Sequence, residues 1–133
     1  MQQIKILYAE DYDLVLFTVK QLLELEGWRV DICRDGSEAL KKIEGAEHYD
    51  VIVVDAELPG TSGIDLLSRA RALTHRRRTP TIMFTANDCE AEALAAGADA
   101  FLRKPGGIRD LIQTIERLLD KGTTSLKMTN HSH

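Results

Sequence analysis

The chain has 133 residues, 44% of them hydrophobic, and its 17 Lys and Arg against 21 Asp and Glu give a formal net charge of −4. This length fits one domain with a substantial core, and the slight acidic excess gives no general bias toward nucleic acid. No apolar run approaches membrane-spanning length, and the first residues do not resemble a signal peptide. Because Cys33 and Cys89 lack metal-ligand spacing, we expect free thiols in a reducing, cytoplasmic setting.

Strand-like and helix-like segments alternate along the chain. Apolar, β-branched segments predict strands at residues 4–9, 28–33, 50–56, 80–86 and 100–104. The intervening and final segments predict helices at residues 13–26, 36–45, 62–73, 88–97 and 108–122. Asp13 is expected to cap the first helix, and Ser37 to begin the second. The alternation predicts an α/β fold, a doubly wound five-stranded parallel sheet with helices on both faces.

The end of the chain differs in character from the rest. From residue 123 onward it is polar and shows no helical period. We therefore predict one domain at residues 1–121 and a tail at residues 122–133 that is disordered or is the stub of a linker. The sequence leaves open whether the chain acts as a single domain or belongs to a longer protein.

Charged and hydroxyl side chains follow the predicted strands at the edge where such sheets bind ligands. Glu10 and Asp11 follow the first strand, Asp55 ends the apolar part of the third, Thr85 lies near the end of the fourth, and Lys104 ends the fifth. Three clustered carboxylates suit Mg²⁺, whereas Lys104 and Thr85 suit phosphate oxygens. A carboxylate in such surroundings can accept a phosphoryl group and form an aspartyl phosphate.

With these residues in place, the chain resembles the receiver domain of two-component response regulators over residues 4–121. The motifs that carry the resemblance are "ED" at 10–11, "VVDAELPGTSG" at 53–63, "TA" at 85–86 and "GADAFLRKP" at 97–105. Each is weak alone, but together and in this order they are specific. The resemblance implies a flavodoxin-like receiver fold. It also implies a Mg²⁺-dependent phosphoprotein that accepts a phosphoryl group from a histidine kinase or a phosphotransfer protein and then switches conformation to control a partner or output.

The resemblance assigns an acidic site. Asp55 matches the phosphoacceptor, and Glu10, Asp11 and Asp55 match the metal carboxylates, together with the backbone carbonyl of Glu57. Many relatives have aspartate where this chain has Glu10, so the contact of this longer acid with the metal is expected to run through water.

The remaining family positions also have matches. Thr85 matches the switch hydroxyl, Phe101 the switch aromatic, and Lys104 and Ala86 the phosphate-binding positions. The resemblance implies a cis peptide before Pro105, although most X–Pro bonds are trans.

Two stretches depart from the family pattern. The segment from Thr85 to Gly97 is about three residues shorter than usual, close to one helical turn, so helix four is expected to be truncated or absent. This weakens any expectation of dimerisation through helices four and five. Gly106 follows Pro105 where an apolar residue is usual, which is expected to loosen the loop into helix five.

The first helix also carries a predicted docking surface. Its apolar run cannot all face the core, because successive helical positions lie about 100° apart. We expect a core-facing stripe of Val15, Val19 and Leu22 and place Phe17 on the solvent-facing side, with Lys20, Gln21 and Glu24. As an exposed aromatic beside the acidic pair, Phe17 is expected, with Leu14, to dock the helical bundle of the kinase.

Two other functions remain open. "VVDAELPGT" also resembles the nucleophile segment of haloacid-dehalogenase-like phosphatases, in which Glu57 would occupy the general-acid position. That family, however, expects aspartate there, an earlier nucleophile strand and a larger domain. A purely structural adaptor is the other alternative, and the full set of site residues argues against it. The arginines in "HRRRTP" at 75–80 are expected to be solvated, and we expect no direct contact with nucleic acid or a membrane.

Overall fold

A computed structural model describes the backbone of residues 3–131 and the side chains of residues 3–120. Within these residues five strands and five helices alternate: β1 Lys5–Ala9, α1 Asp13–Leu25, β2 Arg29–Cys33, α2 Gly36–Glu44, β3 Val51–Val54, α3 Gly63–Ala72, β4 Thr81–Thr85, α4 Glu90–Ala95, β5 Ala100–Arg103 and α5 Ile108–His131. The strands form one parallel sheet in the order β2-β1-β3-β4-β5. The predicted doubly wound sheet is confirmed.

The central strand β3 is buried on both of its faces. Val51 and Val53 pack in the core formed with α1 and α5, whereas Ile52 and Val54 pack in the core formed with α2, α3 and α4. All four side chains have 0% exposure. Successive strand residues point to opposite faces, so a continuous apolar run is what a strand between two helical layers requires.

The helix α1 packs on the sheet with a stripe that differs from the predicted one. Val19 is buried as expected, but Leu16 and Leu23 complete the buried stripe. Val15 and Leu22 are only half-buried at its margins. The predicted stripe is therefore wrong by one position at each end, because an apolar run in the sequence fits several rotations of the helix about its axis.

Two helix starts also differ from the prediction. Asp13 lies in the first turn of α1 rather than at its cap, and its carboxylate accepts a hydrogen bond from the Arg34 guanidinium at 3.0 Å. The helix α2 begins at Gly36, one residue before the predicted Ser37. Asp35 caps it, since its carboxylate accepts a hydrogen bond from a backbone N–H of the first turn at 2.7 Å.

The last two helices are unusual in length, since α4 is short and α5 is long. The helix α4 spans only Glu90–Ala95, which confirms the predicted truncation. The helix α5 continues beyond the predicted end at residue 122 to His131, so the backbone of the predicted disordered tail is helical up to that residue. No proline interrupts this segment, and extending an existing helix is easier than starting one. Residues 132 and 133 lie outside the described residues, and the domain limit at residue 121 stays a prediction.

The prediction that the arginines of residues 75–80 are solvated is wrong for Arg76, which is 2% exposed. Its guanidinium donates to three backbone carbonyls at the C-terminal end of α2 at 2.9–3.1 Å. It also lies 5.0 Å from the centroid of the Tyr49 ring. The last carbonyls of a helix have no hydrogen-bond donor within the helix, and the Arg76 guanidinium supplies donors to those of α2. Arg77 and Arg78 are exposed as predicted.

None of the helices in the described part of the chain has the length and apolar character needed to cross a bilayer.

Candidate functional site

The sheet brings the predicted site residues to its carboxyl edge. Glu10 follows β1, Asp55 follows β3, Thr85 ends β4 and Lys104 follows β5. The strand ladder continues past these ends, because the Asp55 N–H donates to the carbonyl of Ala9 at 3.1 Å and the Lys104 N–H to that of Thr85 at 2.9 Å. The side chains line a cavity of about 250 Å³. The backbone register of the sheet therefore sets the spacing of the site.

Both oxygens of the Asp55 carboxylate are bound. The Thr85 hydroxyl donates to Oδ1 at 2.7 Å, and the backbone N–H of Glu57 donates to the same oxygen at 3.2 Å. The Lys104 ammonium donates to Oδ2 at 3.0 Å. Asp55 is only 9% exposed, so these donors supply the compensation that a buried carboxylate needs.

Lys104 also binds Glu10, and the two acids share this cation. The ammonium donates to Glu10 Oε1, while the backbone N–H of Tyr12 donates to Oε2 at 3.2 Å. Glu10 is 1% exposed. Burial raises the pKa of Glu10 above its usual value, Lys104 opposes that rise, and the charge of Asp55 adds to it. The ammonium also lies 5.2 Å from the centroid of the Phe84 ring.

Three carboxylates are close enough to share one cation. Glu10, Asp11 and Asp55 can each offer an oxygen, and these oxygens lie within 4.8 Å of one another. Asp11 is exposed, whereas the other two acids are buried. An all-oxygen set with one side open to solvent is the ligand chemistry that Mg²⁺ prefers. The predicted convergence of the three acids is confirmed.

Glu57 has two separate relations to the site. Its backbone N–H binds Asp55, whereas its exposed carboxylate accepts a hydrogen bond from the Asn87 side-chain amide at 2.7 Å. The Asn87 backbone N–H in turn donates to the Thr85 hydroxyl at 3.3 Å. The sequence reasoning missed Asn87. Its position two residues after Thr85, in the loop that leaves β4, was the available signal.

The other family positions lie on or beside the same edge. Ala86 is exposed and lines the cavity. Phe101 is half-buried in β5, opposite Met83 of β4, and packs against the core on the α2, α3 and α4 face. The peptide between Lys104 and Pro105 is cis, as expected.

The predicted docking residues are exposed on α1. Leu14 is 68% exposed and Phe17 is 45% exposed. Leu14 also borders an apolar groove of about 370 Å³ that reaches Pro105 and Ile108. The Arg34 guanidinium lies 5.1 Å from the centroid of the Phe17 ring and covers part of that side chain.

A family model described as the response regulator receiver domain matches residues 6–116. The chain belongs to the response regulator receiver family. It is thus a phosphoacceptor signalling module, and this assignment decides against the haloacid-dehalogenase-like alternative. Receiver domains of this family are phosphorylated by histidine kinases.

Among the solved structures that are similar to this chain, two match it over nearly all of their own length. The receiver domain protein (CheY-like) from Methanospirillum hungatei JF-1 is 35% identical, with a TM-score of 0.85 over 93% of this chain and 99% of that one. The receiver domain of the sensor histidine kinase PA1611 from Pseudomonas aeruginosa PAO1 is 30% identical, with a TM-score of 0.82 over 90% of this chain and 99% of that one. That structure has a magnesium ion coordinated in its active-site cleft.

Among curated proteins, the transcriptional regulatory protein CpxR of Escherichia coli (strain K12) is 33% identical over 132 residues. The match covers 97% of this chain and 55% of CpxR. The chain therefore spans about half the length of this relative, and the similarity concerns the receiver portion.

Proposed function

We propose that this receiver accepts a phosphoryl group on Asp55 from a histidine kinase or a histidine phosphotransfer protein and then switches conformation to control a partner or output. One observation carries the proposal. The buried carboxylate of Asp55 has the Thr85 hydroxyl on one oxygen and the Lys104 ammonium on the other. The hydroxyl and the ammonium are placed to stabilise negative charge on a phosphoryl group attached there, and the two further acids can hold a cation beside it. Positioning and charge neutralisation are most of what phosphoryl transfer requires.

In the transfer step, a carboxylate oxygen of Asp55 forms a P–O bond while the P–N bond to the donor imidazole breaks. The electron pair of that bond stays on the imidazole nitrogen. We assign the Lys104 ammonium, the Thr85 hydroxyl and the backbone N–H of Ala86 to the phosphoryl oxygens. The lysine and the threonine already contact the accepting carboxylate, so each needs only a small movement to reach a group attached to it.

We assign a Mg²⁺ ion to the carboxylates of Glu10, Asp11 and Asp55 and the backbone carbonyl of Glu57, with the Glu10 contact running through water. The donor set supports this, since it consists of oxygens within 4.8 Å of one another. When bound, the ion neutralises charge between the carboxylates and the incoming phosphoryl group. The coordinated magnesium in the Pseudomonas aeruginosa relative is in keeping with this assignment.

We infer that the conformational response involves Thr85 and Phe101. The Thr85 side chain is 1% exposed and bound directly to Asp55, so a phosphoryl group added there must change its hydrogen bond. Phe101 is half-buried on the neighbouring strand β5 and can fill space that Thr85 leaves. A phosphoryl group shifts this equilibrium only as far as its interactions differ between the two states.

We propose that the kinase or phosphotransfer protein docks its helical bundle on Leu14 and Phe17. The two side chains are exposed on the helix that begins just after Glu10 and Asp11. We place the protein in the cytoplasm, in keeping with the free thiols of Cys33 and Cys89. We propose no direct contact of this domain with nucleic acid or a membrane.

Labelling with acetyl phosphate and Mg²⁺ tests the assignment of Asp55. The wild-type chain should gain the mass of one phosphoryl group through an acid-stable, base-labile bond, while acetate leaves with the electron pair of the broken P–O bond. Asp55→Asn should not be labelled. Asp65→Asn, which changes an exposed aspartate in the first turn of α3, should be labelled normally.

Full labelling of Asp55→Asn would refute the proposal. Repeated turnover of small phosphate esters by the wild-type chain would favour a phosphatase instead, because a receiver takes up one phosphoryl group and loses it slowly.

A further inference from the structure

A cavity of about 600 Å³ lies at the amino edge of the sheet, opposite the acidic site. Its walls are residues 48–50, which precede β3, and residues 74, 75 and 77–80, which precede β4. The two strands are neighbours in the sheet, so the connections that lead into them meet at this edge. The volume falls in the range of small-molecule sites, about 300–1,000 Å³.

The cavity is positively charged, although the chain as a whole has a formal net charge of −4. Arg77 and Arg78 line it, and within the described residues neither guanidinium has a hydrogen-bond or ion-pair partner. Among the described residues that line the cavity, Asp50 is the only acid. Both of its oxygens are already bound, by the backbone N–H of Lys5 at 2.8 Å and by the ring of His48 at 2.9 Å. The two arginines therefore have no counter-charge in the cavity.

The connection that carries these arginines is held in place by two other arginines. Arg71 of α3 donates to the carbonyls of Arg77 and Thr79 at 2.6 and 3.1 Å. The buried side chain of Arg76 fixes the same connection to the end of α2. A site whose backbone is already ordered loses less conformational freedom when it binds a ligand.

We propose that this cavity binds a small organic phosphate of mononucleotide size that carries two or more negative charges. A guanidinium group matches the geometry of phosphate oxygens, and two of them match two negative charges. The cavity is also far larger than a single phosphate ion. A nucleic acid strand fits less well, because it requires an extended basic surface rather than two arginines on an acidic chain. The cavity shares no lining residue with the acidic site, and this inference goes beyond the proposed function.

Calorimetric titration of the full chain with ADP at low salt tests the proposal. A chelator is present, so that Mg²⁺ cannot link the nucleotide to the acidic site. One ADP should bind per chain, and its affinity should fall as salt is added, because the contact is electrostatic. Inorganic phosphate should bind more weakly, since it leaves most of the cavity unfilled, and adenosine should not bind because it lacks the phosphates.

Substitutions locate the binding. Arg77→Met and Arg78→Met should each weaken ADP binding by about tenfold, the worth of one hydrogen bond to a charged group. Neither should change the thermal midpoint without ligand, because neither side chain has a partner to lose. The matched control is Arg109→Met, which removes an exposed and equally unpaired arginine in the first turn of α5 and should leave ADP affinity unchanged.

Several results would overturn the inference. These are a lack of saturable ADP binding by the wild-type chain, an equal loss of affinity in Arg109→Met, and binding of adenosine or inorganic phosphate as tight as that of ADP. A single-stranded oligonucleotide that binds more tightly than ADP, and depends on the same two arginines, would assign the cavity to nucleic acid instead. Asp55→Asn should bind ADP as the wild type does, so a failure here leaves the proposed phosphorylation of Asp55 untouched.

Discussion

Replacing Lys104 with methionine removes the cation that two buried acids share. The ammonium binds Asp55 at 3.0 Å and also binds Glu10, and the side chains of these acids are 12% and 2% exposed. Methionine keeps much of the apolar stem that packs beside Phe84 and lacks the charge. The substitution therefore leaves two like charges, whose oxygens lie within 4.8 Å, without their common partner.

The size of the effect follows from the geometry. At an effective dielectric constant of about 20, an ion pair at 3.0 Å has a gross attraction of about 5 kcal/mol. Part of this attraction is offset by the free energy needed to remove the ammonium from water. Water that enters the open cavity also screens the charges of the acids. We therefore expect a loss of about 2–3 kcal/mol in the free energy of unfolding, below the roughly 3–5 kcal/mol of a fully buried pair.

Urea unfolding near neutral pH measures this loss, first with a chelator and then with excess Mg²⁺. With a typical urea dependence, the midpoint of Lys104→Met should fall by about 1 M in the chelator. Mg²⁺ should stabilise Lys104→Met more than the wild type, because the ion no longer shares the carboxylates with an ammonium. The control is Lys20→Met, which breaks the surface pair between Lys20 and Glu24 at 2.8 Å on α1 and should cost less than about 0.5 kcal/mol.

Two results would contradict this reasoning. If Lys104→Met is no less stable than Lys20→Met, the carboxylates do not depend on the shared cation. If Mg²⁺ stabilises Lys104→Met and the wild type equally, the ion and the ammonium do not use the same acids.

Three further predictions concern other parts of the molecule. Arg76→Met should lower the free energy of unfolding by about 2–3 kcal/mol in urea titrations, because the carbonyls of Lys42 and Ile43 lose their side-chain donor and that of Gly45 keeps only the His75 ring, whereas the exposed Arg77→Met should change it by less than about 0.5 kcal/mol. Phe17→Ala should slow phosphotransfer from the cognate kinase without changing the thermal midpoint or acetyl phosphate labelling, and a loss of stability with normal transfer would show that Phe17 belongs to the core. Burial raises the pKa of the Cys33 thiol to about 12. The folded state therefore holds this proton more tightly than the unfolded state, stability should fall as pH rises from about 9 toward 12, and urea midpoints of Cys33→Ala should fall less over that range.

The sequence alone was enough to predict the fold and the acidic site. Five apolar segments alternating with helical ones have few arrangements other than a parallel sheet between two helical layers, and parallel strands end at one edge. The predicted ends of four strands therefore placed Glu10, Asp55, Thr85 and Lys104 together, and the structure confirms this. A residue that follows a strand has its position at the sheet edge set by the backbone. This part of the site could therefore be predicted without knowledge of side-chain packing.

Contacts between distant elements were decided only by the tertiary structure. In the sequence Arg76 is one of three adjacent arginines. Nothing in the local sequence distinguishes the arginine that donates to the carbonyls at the end of α2 from the two that are exposed to solvent. The rotation of α1 that buries Leu16 and Leu23 depends in the same way on the sheet surface beneath it. Periodicity fixes which elements form, but which side chain fills a given space depends on neighbours far away in the chain, and only the folded packing determines those neighbours.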